Sequence, residues 1–309
     1  MFESKNDIKM NWDLEFPIVK VENSDFHKFP LLKRFLEIPD APKQIYYRGN
    51  FPGEHFHFLS VVGSRNITNY GRDAVKKLLG GLRGQNICII SGLALGTDGE
   101  AHMTALQNNL PTIGIPGSSI EEKKIGPRTN KKIAEDILKS GGLLMSEFDS
   151  SAPIGVWSFP ARNRLMAALS DAVLVIEAAE KSGSLITARL AAEYNKDVLC
   201  VPGTIFSETS KGTNMFIANG ARLVQNSSDI LHQFRIALDL TGTEARDRKV
   251  DENLTDIEKL VLINLKEPIS KDSLLQKLDL EIGVFLTTIT ILEMKNYIKE
   301  ETGILRRVM

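Results

Sequence analysis

The sequence predicts an α/β protein with a doubly wound, mostly parallel sheet, followed by a small helical unit. Three observations carry this. From Phe58 onward the chain repeats short continuous apolar runs, FLSVVG, NICIISG, PTIGIPG, GGLLMSE, DAVLVIE, DVLCVPG and ARLVQ, and runs without polar alternation indicate strands buried on both faces. Stretches of helical length separate them, and strand–helix alternation means parallel pairing with helices on both sides. After Ile230 the strand pattern stops and helical apolar spacing takes over.

Taken in order, residues 1–55 are a lead-in segment of mixed polarity, with a cluster FPLLKRFLEIPDAPKQIYYRGNFPG of short apolar runs that reads as a short helix and an edge strand over 45–48. Residues 56–238 form the main domain, with helices expected over 69–82, 98–107, 130–139, 161–169, 184–194 and 213–218. The charged stretch TGTEARDRKVDENLTD, within 239–254, reads as a linker. Residues 255–309 follow as a second unit, with helical spacing over 255–265, 270–278 and 281–295. YIKEETGILRRV then looks like a hairpin turning at Thr302 and Gly303. Three helices and a hairpin suggest a winged-helix module. From Lys249 to the end there are nine Lys or Arg against eleven Asp or Glu, a poor electrostatic footprint for a DNA-binding wing, so an interaction or packing role is expected for it.

The 309 residues are 42% hydrophobic and 25% charged, enough for one large core and one small one. A net charge of −1 excludes a protein that coats nucleic acid through a global positive field; any such site is a local patch. The two cysteines, Cys88 and Cys200, sit inside apolar runs and read as core residues in a reducing compartment. The start, MFESKNDIKMNW, lacks the apolar core of a signal sequence, and no stretch reaches the roughly 18 apolar residues of a membrane span. A cytoplasmic protein without a membrane partner is expected.

In doubly wound sheets the ligand crevice lies beyond the carboxyl ends of the strands, so the loops after the apolar runs hold the candidate residues. In VVGSRNITNYG, Gly63, Ser64 and Arg65 together can hold one phosphate at the opening of a helix; the alternative is a plain turn with a surface arginine. SGLALGTDGEAH offers Gly92 and Gly96 for a flat loop and Asp98 as a helix cap. An Asp98–His102 catalytic pair is the rival reading, but no nucleophile or metal ligand stands at matching spacing. SFPARNRLMAALS places Phe159 beside Arg162, Asn163 and Arg164. With a helix start at about Ala161 the arginines fall in its first turn, where the dipole disfavours cations and phosphate holding would explain them. Phe159 is either a core aromatic or a stacking surface for a base. Glu147 and Glu177 are carboxylates that could instead brace the two arginines. EAAEKSGSLITA supplies Lys181, Ser182, Gly183 and Ser184 at another helix start, and Lys211 sits on the rim before the next. Neither a dinucleotide fingerprint nor a Walker loop is present. No coherent set of acid, base, nucleophile or metal ligands emerges, so the sequence points to binding, with no cofactor.

The ordered motifs VGSR, SGLA-x-G-x-D-x-x-AH, FPARNR, EA-x-x-x-SGSLITA, VPG and G-TN-x-x-I-x-x-GA resemble, over about residues 30–231, the DprA/Smf family of bacterial DNA-processing proteins. The resemblance implies a Rossmann-like domain that binds and protects single-stranded DNA without being an enzyme. It also implies a homodimer that loads RecA recombinase during natural transformation. It assigns Arg65 to a phosphate beside Gly63 and Ser64, Phe159 to the DNA pocket, Arg162, Asn163 and Arg164 to the pocket wall, and Lys181 to Ser184 to the rim. The chain departs from the family in three places. It is too short before residue 30 for a sterile-alpha-motif domain, Gly126 stands where a tyrosine is usual, and Val156 and Trp157 replace a basic residue ahead of Phe159, where Trp157 offers a stacking surface. The alternative is a nucleotide-processing hydrolase of the lysine-decarboxylase-like or phosphoribohydrolase type. Those enzymes need a carboxylate where Thr187 stands here.

Overall fold

The computed structural model describes residues 11–153, 155, 157–236, 254–265, 267–295, 297–301 and 303–307. The expected linker, apart from Leu254, lies outside these, as do Val156 and Thr302. The chain divides into two compact units, residues 1–238 and 239–309.

In the first unit one nine-stranded sheet has the spatial order β1, β2, β6, β5, β4, β3, β7, β8, β9. The strands are β1 Val19–Glu22, β2 Gln44–Gly49, β3 His57–Val62, β4 Ile87–Ser91, β5 Thr112–Gly114, β6 Leu143–Ser146, β7 Ala172–Val175, β8 Asp197–Cys200 and β9 Arg222–Leu223. From β6 across to β9 every pairing is parallel, whereas β1 and β2 run antiparallel to their neighbours. The apolar runs of the sequence are these parallel strands. The strand expected at the edge, residues 45–48, is instead second from it. β1 pairs along its outer side with Val19 opposite Tyr47, so the lead-in segment completes the sheet rather than merely preceding it.

Burial on both faces follows from the pleat. In β3, Phe58 and Val62 face one core with Leu165, Leu169 and Val175, while Leu59 and Val61 face the other with Val75, Leu79 and Ala105. The helices of this unit are α1 Trp12–Glu15, α2 Pro30–Lys33, α3 Asn69–Gly80, α4 Thr97–Gln107, α5 Lys131–Lys139, α6 Ser158–Leu169, α7 Ser184–Glu193, α8 Lys211–Ala218 and α9 Ser227–Gln233. The first core lies under α6 and α7, the second under α3, α4 and α9. α6 approaches closely because Ser60 and Ser170 are small and hydrogen-bonded to each other and to the Met166 carbonyl. Cys88 and Cys200 are buried and free, and burial pushes the Cys200 thiol up to about 12. No helix among the described residues is long and apolar enough to cross a membrane.

The connections set the place of the crevice. β3 leads to β4 and β5 on one side, and its neighbour β7 leads to β8 and β9 on the other. The strand order reverses between β3 and β7, and the loops leaving their carboxyl ends diverge there.

The second unit runs α10 Asp256–Asn264, β10 Ile269–Ser270, α11 Lys271–Leu278, α12 Ile282–Met294, β11 Ile298–Glu301 and β12 Ile304–Arg307, with strand order β10, β12, β11. This is the three-helix and hairpin pattern expected from the sequence. Val261, Leu274, Phe285, Ile289 and Leu305 form its core. Thr255 and Glu258 cap α10 reciprocally, and Gly303 takes the left-handed turn conformation at φ +79°. On α12, Ile282, Leu286 and Met294 are exposed.

Candidate functional site

At the reversal between β3 and β7 a cleft of about 680 Å³ opens, lined in part by Gly63, Ser64, Arg65, Phe159, Lys181 and Thr187. Each wall is fixed from behind. The Ser64 carbonyl accepts hydrogen bonds from the backbone N–H and the hydroxyl of Thr97, both at 3.1 Å. A side chain on Gly63 would collide with Thr97, and one on Gly96, at φ +75°, with the Ser64 and Arg65 carbonyls. The first turn of α4 thus locks the β3 loop and presents Arg65 outward. Its guanidinium lies over the Phe159 ring, 4.7 Å from the centroid, a solvent-exposed cation–π arrangement. Gly117 makes room for that ring, since a Cβ there would stand 2.7 Å from Phe159 Cδ1.

α6 begins at Ser158, earlier than the sequence suggests. Pro160 is its third residue, a place where the missing N–H has no helical partner to lose. Arg162 and Arg164 therefore fall in the second turn, and the argument from cations in the first turn lapses. Arg162 is buried. Its Nη1 donates to the Ile115 carbonyl at 2.8 Å and lies 3.9 Å from Asp98 Oδ2, and its Nε finds no partner. It borders the cleft from below, and burial lowers its pKa. Gly92 is what admits it, because a Cβ there would sit 1.3 Å from Nη1. Arg164 does not line the cleft; it binds Glu147 at 2.5 Å and Asp40 at 3.0 Å. Of the two carboxylates named as braces, Glu147 takes Arg164 and Glu177 takes neither. Asn163 lines the cleft and reaches the Gly183 carbonyl at 3.4 Å.

Opposite, Lys181 is exposed and Ser182, Gly183 and Ser184 lead into α7. The Ser182 and Ser184 hydroxyls are 2.8 Å apart, and the positive end of α7 borders the opening, although its first amides are already engaged, Ser184 by the Ser182 hydroxyl and Leu185 and Ile186 by the Ser182 and Gly183 carbonyls. Lys211 stands apart from this lining, the first residue of α8, paired with Glu208 at 2.6 Å. Trp157 is half exposed and meets Phe148 edge-on at 5.4 Å.

Two further groups support the site and were not legible as such. Glu177, buried at the end of β7, accepts from the Thr68 N–H at 2.9 Å, the Thr68 hydroxyl at 2.6 Å and the Thr209 hydroxyl at 3.1 Å. One carboxylate thereby ties together the loops after β3, β7 and β8. Asn130 does the same for the loop after β4, donating to the Leu93 and Ala94 carbonyls.

Asp98 and His102 do not pair. Gly96 occupies the cap position of α4, and Asp98, inside the first turn, turns back to the Ala94 N–H at 3.3 Å. Its role is loop bracing, and burial raises its pKa. His102 points to β5, 2.8 Å from the Thr112 hydroxyl, whose own proton goes to the Ile89 carbonyl. Nδ1 therefore carries the proton, and the ring is neutral, its pKa depressed by burial from 6.5 to about 3. A depressed histidine contributes stability that is lost as pH falls: between 6.5 and about 3 the unfolded chain binds a proton that the fold refuses. The slope approaches about 1.4 kcal/mol per pH unit. His102→Gln is expected to flatten the acid limb of denaturant melts between about pH 6 and 4. An unchanged limb would mean that other groups set it.

A family model described as DNA recombination-mediator protein A matches residues 22–235. DNA processing protein DprA of Streptococcus pneumoniae is 37% identical over 220 residues, covering 69% of this chain and 77% of that protein. Protein Smf of Escherichia coli is 36% identical over 237 residues, covering 73% of this chain but only 63% of its own length. Among solved structures, that of DprA from S. pneumoniae has a TM-score of 0.64 at 36% identity, over 70% of this chain and 74% of the other. DNA processing protein A from Helicobacter pylori, in a structure concerned with its single-stranded DNA binding mode, has a TM-score of 0.62 at 32% identity, over 71% of this chain and 96% of that one.

Proposed function

Since the chain belongs to the DNA recombination-mediator protein A family, we propose that its cleft binds single-stranded DNA and that the protein hands this strand to a RecA recombinase. The carrying observation is the Arg65 guanidinium, borne on a loop fixed by the β3–α4 contact and laid over Phe159 at the mouth of an open cleft. Arg65 and Lys181 supply the cations, and the Ser182 and Ser184 hydroxyls at the positive end of α7 supply further polar groups for the phosphates. The Arg65–Phe159 stack offers planar surface for a base. A fixed groove of donors with an aromatic partner reads backbone and stacking rather than sequence.

A binding role without catalysis is supported by how the carboxylates are spent. Asp98, the acidic side chain among the described cleft residues, is buried and turned to a backbone amide. Glu177 is saturated by hydroxyl and amide donors, and buried Thr187 stands where a hydrolase would need its acid. The protein acts inside the cell, as a homodimer with two such clefts, protecting incoming strands during natural transformation. The winged-helix-like unit serves contacts other than DNA.

The test is a salt titration of a fluorescent single strand. Tight binding at low salt is expected, with log K falling by about 0.7 per phosphate held for each tenfold rise in salt. Absence of binding at low salt rules the reading out. In the same preparation, strand-dependent ATP hydrolysis by RecA on coated single strands should rise if the strand is handed over. Base release from nucleoside monophosphates would favour the hydrolase instead, and a single-chain mass in sedimentation would remove the dimer.

A further inference from the structure

A separate cleft, of about 260 Å³, opens at the other end of the parallel strands, where β4, β5 and β6 begin. We propose that it binds a small uncharged heterocycle carrying an exocyclic amine, such as a free adenine base or its nucleoside, without a phosphate. The proposal does not depend on what the first cleft holds.

The lining excludes ions. No charged side chain borders this cleft, although 25% of the chain's residues are charged. Phe56, Pro111, Ile113 and Leu143 give it apolar walls, and buried Cys88 adds an uncharged thiol. At about 260 Å³ it falls below the roughly 300–1,000 Å³ of drug-sized ligand pockets and suits one ring system.

Two helices end here. Leu106 and Asn109, at the close of α4, and Ser140 and Gly141, just past α5, all line the cleft. Helix C-termini carry partial negative charge, so a phosphate is disfavoured and a group that donates N–H is favoured. The first cleft is the reverse, bordered by Arg65, Lys181 and the start of α7. One sheet thus offers an anion-attracting opening at the carboxyl ends of its strands and an anion-repelling one at their amino ends.

Two polar side chains remain for a ligand. The backbone N–H groups of Asn50, Asn109, Leu110, Ser140, Gly141 and Gly142 are all given to carbonyls of the protein. The Ser140 hydroxyl donates to the Ile137 carbonyl at 2.8 Å, and the Thr112 hydroxyl to the Ile89 carbonyl at 3.0 Å. The carboxamides of Asn50 and Asn109 are exposed at the cleft and have no partner among the described contacts. A carboxamide sets an acceptor oxygen beside a donor nitrogen. Its complement is an amine next to a ring nitrogen, the edge by which asparagine pairs with adenine.

The test uses the full chain, with adenosine and adenosine monophosphate as probes in ligand-observed NMR titrations. Wild type is expected to bind adenosine, and to bind the monophosphate about threefold more weakly because its charge meets the helix ends. Asn50→Ala and Asn109→Gly each remove one carboxamide and should weaken adenosine about threefold to tenfold. Neither side chain holds another part of the protein, and Asn109 already sits at φ +55°, where glycine is at ease. Both variants should therefore melt within about a degree or two of wild type. Arg65→Ala should bind adenosine as wild type does, since Arg65 borders the other cleft. No adenosine binding at millimolar concentration, equal affinity in wild type and both asparagine variants, or a loss in Arg65→Ala would overturn the site. A monophosphate bound more tightly than adenosine would overturn the choice of a phosphate-free ligand.

Discussion

Arg65→Ala is expected to lower single-strand affinity by about 10- to 100-fold, the loss of one charge-assisted phosphate contact together with a stacking partner. Arg65 is exposed and makes no ion pair among the described contacts, and its side chain rests on Phe159. Its removal therefore costs the fold little. The melting temperature should move by no more than about a degree or two, as for surface substitutions generally. The salt slope should fall by about 0.7, one phosphate fewer. Arg65→Lys separates the two contributions, because an ammonium keeps the charge but not the planar stack. Arg164→Ala is the matched control, since that guanidinium is committed to Glu147 and Asp40. Equal affinity of wild type and Arg65→Ala across the salt range would remove Arg65 from the site.

Gly92→Ala is expected to have the largest effect on stability. The new methyl would stand 1.3 Å from Arg162 Nη1 and 2.2 Å from Cζ, so the guanidinium must leave its place. It then loses the Ile115 carbonyl, and Asp98 loses the cation beside it. Breaking such a buried pairing costs about 3–5 kcal/mol, which lowers the melting temperature of a unit this size by roughly 10 °C. Combining it with Arg162→Met tests the cause. If the clash with Arg162 is the damage, the double variant should be less destabilised than the two single effects would sum to. A Gly92→Ala protein that melts with wild type would show that Arg162 relocates freely.

How far the sequence spoke depends on the range over which its signals act. Strands β3 to β8 were legible because burial on both faces leaves continuous apolar runs such as ICIIS and AVLV. β1, VKVE, was not: it is a four-residue edge strand with a single buried residue, Val21, and its pattern does not rise above the surrounding loop. The start of α6 was misplaced because Pro160 reads locally as a stop, although a helix tolerates proline in its first turn. Arg65 and Phe159 could be singled out from their neighbours in the chain. Their stacking could not, since it is made possible by Gly117, distant from both in sequence. The split fate of Arg162 and Arg164 is of the same kind. Two residues apart on one helix, they point to different surroundings, and only the glycine at 92 and the carboxylates at 40 and 147 decide which is buried and which is paired.

The Glu177 knot, which holds the loops after β3, β7 and β8 from a single buried carboxylate, shifts the conformational cost of association. Walls already fastened have little freedom left to surrender, so if the cleft takes a single strand, as proposed, the entropy lost on binding comes from the strand. A pliable, weakly stacked strand has less order to undo before it can be seated than one whose purines are already stacked on each other. On the proposed single-strand reading, the protein would then respond to how easily a strand can be reshaped, a property written in its composition but not in any particular order of bases.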